Sequence, residues 1–208
     1  MNRLLLSLLI FGFYSCSSPV GEEKTDWLAV IIENTSVGNS VIDSTSYKRS
    51  EAIDTNFLKQ FIFGVSPQSN QDFKFPEYTF PCYYWGERYQ RDTMLIFTFV
   101  FANEYCCRTI YAITSPATRF EIIDIEEVAV TGGDGGWYEY DYGKWTTDHQ
   151  INLVKAEITE NYLEDHEYEE IVDTTWLSIS IGSDGFFSRS IDSSTTVKEI
   201  KNYGQQRL

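Results

Sequence analysis

The chain has 208 residues, which is the length of one domain or of two small ones. Apolar residues make up 42% of it and aromatic residues 16%, so the chain can bury a core and a disordered protein is excluded. It carries 31 acidic against 16 basic residues, a net charge of −15. This charge argues against nucleic-acid binding, because phosphate contacts need a cationic surface.

The N-terminus combines one positive charge with a short apolar run. Arg3 precedes the apolar residues 4–13, whereas a helix that crosses a bilayer needs about 20 such residues. This order predicts a secretory signal peptide. Ser15 and Cys16 follow, and residues 17–21 lack charge, so the segment resembles the signal of Gram-negative bacterial lipoproteins. The resemblance implies that Cys16 is lipidated and becomes the first residue of the mature chain.

The same resemblance predicts how the chain is organised and where it resides. Residues 1–15 are the signal peptide, 16–25 a tether and 26–208 a single β-rich domain. The membrane is then a partner only through the N-terminal lipid, which holds a protein on a bilayer rather than across it. Ser17, rather than an aspartate, follows the cysteine, which implies the outer membrane. The alternatives are an ordinary signal peptide with an incidental cysteine and a frayed core helix.

The first half of the expected domain has few regular elements. Residues 26–33 are apolar but too few for periodicity to separate a helix from a strand. Residues 34–50 are rich in Ser, Thr and Asn and predict a loop. A short amphipathic helix is predicted over 54–64, with Asp54 or Thr55 as its N-cap and Gly64 at its C-terminus.

From residue 92 onward the hydrophobic period changes to two, which is typical of strands. No helical pattern alternates with these runs, so a parallel α/β sheet is unexpected. The sequence therefore predicts a mainly β fold, namely an antiparallel meander, sandwich or open barrel, with one short N-terminal helix. The predicted strands cover residues 93–101, 105–113, 120–130, 137–145, 150–158, 175–181 and 186–191.

The strand predicted over 137–145 has two contrasting faces. Side chains alternate along a strand, so Tyr138, Tyr140 and Tyr142 share one face, which we expect to pack against the core. The other face would then point outward as a candidate ligand site, because indoles stack on flat ligands and carboxylates accept hydrogen bonds. Its residues are Trp137, Glu139, Asp141 and Trp145. An amphipathic strand whose indoles merely pack is the alternative.

Chemistry other than binding has little support in the sequence. Glu139 and Asp141 resemble a glycosidase carboxylate pair only in their spacing, and acidic residues are so frequent that such pairs arise by chance. No nucleophile motif is present, and the chain has no CxxC pair and only two histidines, which argues against a metal site. We therefore expect no cofactor and assign no catalytic residue.

The cysteines of the domain leave two alternatives open. In an oxidising envelope Cys82 could form a disulfide with Cys106 or Cys107, and otherwise these residues are buried thiols.

Together these observations predict a lipid-anchored cell-envelope protein that binds a partner. One alternative is an acidic inhibitor or immunity-like protein that neutralises a cationic, envelope-attacking enzyme. Its basis is the acidic excess, which lies almost entirely between residues 92 and 192. This segment contains 20 acidic and 5 basic residues. Another alternative is a glycan-binding or glycan-cleaving module, based on the Trp and Tyr clusters.

Overall fold

The computed structural model describes residues 25–38, 41–43, 51–77, 82–91, 93–103, 107–147, 149–163 and 166–202. It confirms a mainly β fold. The helices are α1 (Trp27–Asn34) and α2 (Thr55–Phe61). The strands are β1 (Ser36–Val37), β2 (Val41–Asp43), β3 (Tyr83–Arg91), β4 (Met94–Asn103), β5 (Cys107–Pro116), β6 (Asp124–Asp134), β7 (Trp137–Thr147), β8 (Gln150–Tyr162), β9 (Glu167–Ile181) and β10 (Phe187–Asn202).

Both helices begin at an aspartate N-cap. The Asp54 carboxylate accepts a hydrogen bond of 2.7 Å from the backbone N–H of Asn56, which confirms the predicted start of α2. Asp26 caps α1 in the same way, through the N–H of Ala29. The segment that periodicity left undecided is therefore a helix, so the domain has a second helix in addition to the predicted one.

The strands β3 to β10 form one antiparallel meander in which each strand pairs with the next along the chain. β1 adds to the β3 edge in parallel, and β2 pairs with β7. The β6–β7 hairpin closes with only Gly135 and Gly136 between the strands, both at positive φ, as a tight two-residue turn requires. Consecutive pairing needs only short connections, which explains why no helix separates the strands.

The sheet buries apolar side chains on both of its faces. On one face, α1, α2 and the segment after them pack on β3 to β6 and form an aromatic core around Phe57, Trp85 and Phe97. On the other face, β4, β5, β8, β9 and β10 enclose a second, mostly aliphatic core that includes Ile110 and Ile179. The central strand β4 contributes to both cores, which accounts for its continuous apolar sequence.

The sheet curls until its last strand reaches a strand near its middle. The N–H of Phe187, at the start of β10, donates to the Asp124 carboxylate on β6 at 2.9 Å. The hydroxyl of Thr114 on β5 donates to the carbonyl of Gly185 at 2.7 Å. Register shifts in the ladders, as between Ile191 and Ser193, add local twist that favours this curvature. We call the enclosed side the inner face and the opposite side of β7 to β10 the outer face.

Of the two alternatives for the cysteines, a Cys82 disulfide is excluded. Cys82 is a free thiol, and Cys107 is disulfide-bonded. Cys16 and Cys106 lie outside the described residues. Cys82 immediately precedes β3, and Cys107 begins β5, with β4 between them. Strands two apart are separated by about 9.5 Å, which exceeds the roughly 7 Å between Cα atoms that a disulfide can bridge.

Within the described part of the chain, neither helix has the length and apolar composition needed to cross a bilayer.

Candidate functional site

Strand β7 has the alternation that the sequence predicts, but its buried face is the one that was predicted to point outward. Glu139 and Asp141 are only 8% and 6% exposed, whereas Tyr138, Tyr140 and Tyr142 are 45%, 37% and 49% exposed. The prediction that the tyrosines pack against the core is therefore wrong. The carboxylates point to the inner face, on the same side as the aliphatic core.

The carboxylates are buried because the neighbouring strands supply partners. Glu139 forms an ion pair with Lys155 on β8, and the Asp141 carboxylate accepts a 2.8 Å hydrogen bond from the N–H of Val130 on β6. The indole N–H of Trp137 donates to the Glu157 carboxylate at 2.8 Å. Buried charge is tolerated only when it is paired in this way. The tyrosines on the other face of β7 need no such partner in the protein, because their hydroxyl groups can form hydrogen bonds with water.

Trp145, the fourth residue of the predicted site, is half-buried and packed. Its ring lies 4.9 Å from the ring of Tyr89, and the guanidinium of Arg91 lies 4.7 Å above it. Trp137 is thus engaged by the Glu157 carboxylate, and Trp145 packs against Tyr89 and Arg91. The structure does not bring the four predicted residues together on an outward surface.

The inner face instead holds a cluster of four acidic and two basic side chains. Its members are Glu126, Glu127, Glu139, Asp141, Lys155 and Arg189. Burial raises the pKa of Glu126 to about 7, and the nearby Arg189 only partly opposes this. Burial likewise raises the pKa of Asp141 to about 7, against the hydrogen bond from Val130. This cluster links β6, β7, β8 and β10 and can exchange protons near neutral pH.

The described residues contain no group of three or more His, Cys, Asp or Glu side chains arranged to hold a metal ion.

The outer face presents exposed rings on β7 and β9, the two strands that flank β8. Tyr142 on β7 is aligned across Val154 on β8 with Trp176 on β9, and Trp176 is 38% exposed. The rings of Tyr140 and Tyr142 are 6.5 Å apart, with their planes within 15° of parallel. We call Tyr138, Tyr140, Tyr142 and Trp176 the outer aromatic face. Trp176 lies 34 residues after Tyr142 in the chain, so the alternation within β7 gave no signal of it.

One end of the outer aromatic face forms a groove of about 360 Å³. Tyr142 and Trp176 line its sides, and Val41 on β2 extends its wall. Polar groups stand at its rim, namely Lys144, Asn152 and Asp192. The Asp192 carboxylate accepts a 2.7 Å hydrogen bond from the hydroxyl of Ser178, which fixes its position. We call this the Tyr142–Trp176 groove.

A larger cleft of about 770 Å³ lies between α2 and residues 119–125. Its rings, Phe61 and Phe120, pack edge to face at 4.8 Å. They belong to the aromatic core rather than to a ligand surface, so the Tyr142–Trp176 groove is the better candidate site.

No family model, no curated protein and no solved structure matches this chain. Its function is therefore argued from the geometry of its own side chains.

Proposed function

We propose that this chain is a lipid-anchored cell-envelope protein that binds a glycan through the outer aromatic face. The observation that carries this proposal is the set of solvent-exposed rings at Tyr138, Tyr140, Tyr142 and Trp176, on the two strands that flank β8. Anchoring follows from the lipoprotein-like signal and its Cys16, with the outer membrane as the expected location.

Exposed aromatic rings lower the solubility of a protein, so their presence on a surface indicates a binding role. A contiguous apolar patch lowers solubility, and such patches commonly mark interaction sites. Here the rings are held by strands that pair along most of their length, so little ordering entropy is lost when a ligand stacks on them. Aromatic faces suit the flat, C–H-rich faces of sugar rings, while the tyrosine hydroxyls provide hydrogen bonds.

Binding is favoured over cleavage because the carboxylates that resemble a catalytic pair lie on the other side of the sheet. Glu139 and Asp141 face inward and are engaged with Lys155 and Val130. A glycosidase requires its two carboxyl groups to flank the scissile bond. A glycan on the outer aromatic face does not reach them.

The inhibitor alternative draws less support from the structure than from the net charge. Four carboxylates, those of Glu126, Glu139, Asp141 and Glu170, are buried, and three of them pair with basic side chains. Buried, paired charges contribute little to the long-range field that steers a cationic partner. The aromatic surface is the more specific feature.

Calorimetric titration of the full-length protein in detergent micelles tests the proposal. The probes are hexasaccharides of β-1,4-linked N-acetylglucosamine and of β-1,4-linked glucose. We expect binding that changes little with salt, and we expect Tyr140→Ala to weaken it about tenfold, equivalent to about 1.4 kcal/mol. Phe186→Ala, which removes an exposed ring at the β9–β10 turn, is the matched control and should bind normally.

The proposal fails if neither hexasaccharide binds. Salt-sensitive binding to a basic protein, with no saccharide binding, would favour the inhibitor alternative instead.

A further inference from the structure

We infer that the Tyr142–Trp176 groove is a subsite for one pyranose ring of an uncharged saccharide, in which Asp192 and Asn152 bind the sugar hydroxyls. This inference rests on the proposed function and assigns its ligand class and its specificity-determining residues.

The dimensions of the groove fit a single ring. Tyr142 and Trp176 stand on strands that flank β8, and two strand spacings separate their backbones by about 9.5 Å. Val154 of β8 lies between them as an apolar floor. The volume of about 360 Å³ is at the small end of the range for ligand sites, roughly 300–1,000 Å³. A ring that enters this space meets aromatic carbon on both sides.

A β-bulge supplies the groove with its carboxylate. Ile191 pairs with Leu177 and Ser193 with Trp176, so Asp192 is the extra residue of β10. Bulges redirect side chains in this way and are common next to binding sites. The bulge places Asp192 in the lining of the groove.

Ser178 holds the carboxylate of the groove in place. Its hydroxyl donates its one proton to an Asp192 carboxylate oxygen at 2.7 Å, and the Asn152 side-chain oxygen lies 3.4 Å from the same hydroxyl. The bond to Asp192 orients the carboxylate before any ligand arrives. A carboxylate and an amide are suited to hydroxyl groups, which both donate and accept hydrogen bonds.

The net charge of the protein disfavours an anionic sugar as the ligand of the groove. The chain carries a net charge of −15, and Asp192 contributes one negative charge to the groove itself. Lys144 is the only cationic side chain among the lining residues that the structure describes. The electrostatic field of this net negative charge would repel a sulfated or carboxylated saccharide, whereas it does not affect the binding of an uncharged saccharide.

Titration of the full-length protein with N-acetylglucosamine and glucose oligomers of one to six units tests this assignment. The affinity is measured for the shortest oligomer that binds to the wild type. We expect Trp176→Ala and Asp192→Ala each to lower this affinity about tenfold, and Trp176→Phe to retain most of it. Phe186→Ala, which removes an exposed ring outside both the outer aromatic face and the groove, should change that affinity less than about threefold. Bound oligomer should also reduce acrylamide quenching of Trp176 fluorescence.

The outcomes separate the inference from the function on which it rests. If the wild type binds hexasaccharide and Tyr138→Ala or Tyr140→Ala weakens it while Trp176→Ala and Asp192→Ala do not, the groove is not the subsite, although the proposed function stands. If no oligomer binds, both fail. If a sulfated hexasaccharide or an aromatic peptide binds more tightly at the groove than the uncharged sugars, the assigned ligand class is wrong. Circular dichroism of each variant identifies any loss that reflects unfolding.

Discussion

Arg189 on β10 and Glu126 on β6 form an ion pair across the inner face, with the guanidinium nitrogen 3.0 Å from the carboxylate oxygen. The same guanidinium donates a hydrogen bond of 2.5 Å to the backbone carbonyl of Glu127. β6 and β10 are not neighbours in the sheet. This contact therefore joins strands that the ladder alone does not connect, and it helps to hold the curl of the sheet closed.

Replacing Arg189 should destabilise the fold strongly. Arg189→Met leaves the Glu126 carboxylate buried without its cation, and breaking such a pair costs about 3 kcal/mol or more. Urea denaturation at pH 7.5 measures the free energy of unfolding. Arg119→Ala is the matched control, because Arg119 pairs with Glu121 in solvent and such pairs contribute about 1 kcal/mol at most. Equal effects of the two substitutions would show that the Arg189 pair does not hold the curl.

The raised pKa values of Glu126 and Asp141 predict a specific pH dependence. Between pH 4.5 and about 7 the folded protein retains protons on these groups that the unfolded chain has released. The stability that they contribute is therefore present at the acidic end and is lost as the pH rises through about 7. Relative to the wild type, Glu126→Gln and Asp141→Asn should gain free energy of unfolding as the pH increases over this range.

Urea denaturation at pH 4.5, 6 and 7.5 checks this pH dependence. Glu121→Gln, which removes an exposed carboxylate, should keep a nearly constant difference from the wild type. A Glu126→Gln difference that is equally flat would contradict the effect of burial.

The orientation of β7 predicts which of the five tryptophans is accessible. In variants that retain one tryptophan each, acrylamide should quench Trp176 most and Trp85 least, because Trp176 is 38% exposed and Trp85 is 1% exposed. Trp137 and Trp145 should lie between them, since both are half-buried. Stronger quenching of Trp137 than of Trp176 would mean that β7 presents its other face to solvent.

Anchoring through Cys16 is tested by cell fractionation. Cys16→Ser should move the protein from the membrane pellet to the soluble envelope fraction and should abolish lipid labelling. Ser17→Ala, one residue further along, is the control that keeps the cysteine and should remain in the pellet. A Cys16→Ser variant that stays in the pellet with a normally processed N-terminus would rule out the lipid anchor.

Local sequence was sufficient for most of the fold. Asp54 marked the start of α2 because a helix N-terminus leaves N–H groups that a carboxylate can accept. The apolar residues of β4 predicted a strand covered on both faces. Period-two alternation and the lack of intervening helices predicted a mainly β, antiparallel fold, although they left a meander, a sandwich and an open barrel as alternatives. These features depend on residues close together in the chain, so the sequence determined them.

Only the tertiary structure decided which side of β7 is buried. Alternation specifies that Glu139 and Asp141 share a face, but it does not specify whether that face meets solvent. The decision rests on Lys155 of β8, which pairs with Glu139, on the Val130 N–H of β6, which binds Asp141, and on the curl that encloses the inner face. The groove depends in the same way on Trp176 and on the bulge at Asp192, because its walls come from strands that meet only once the sheet has formed.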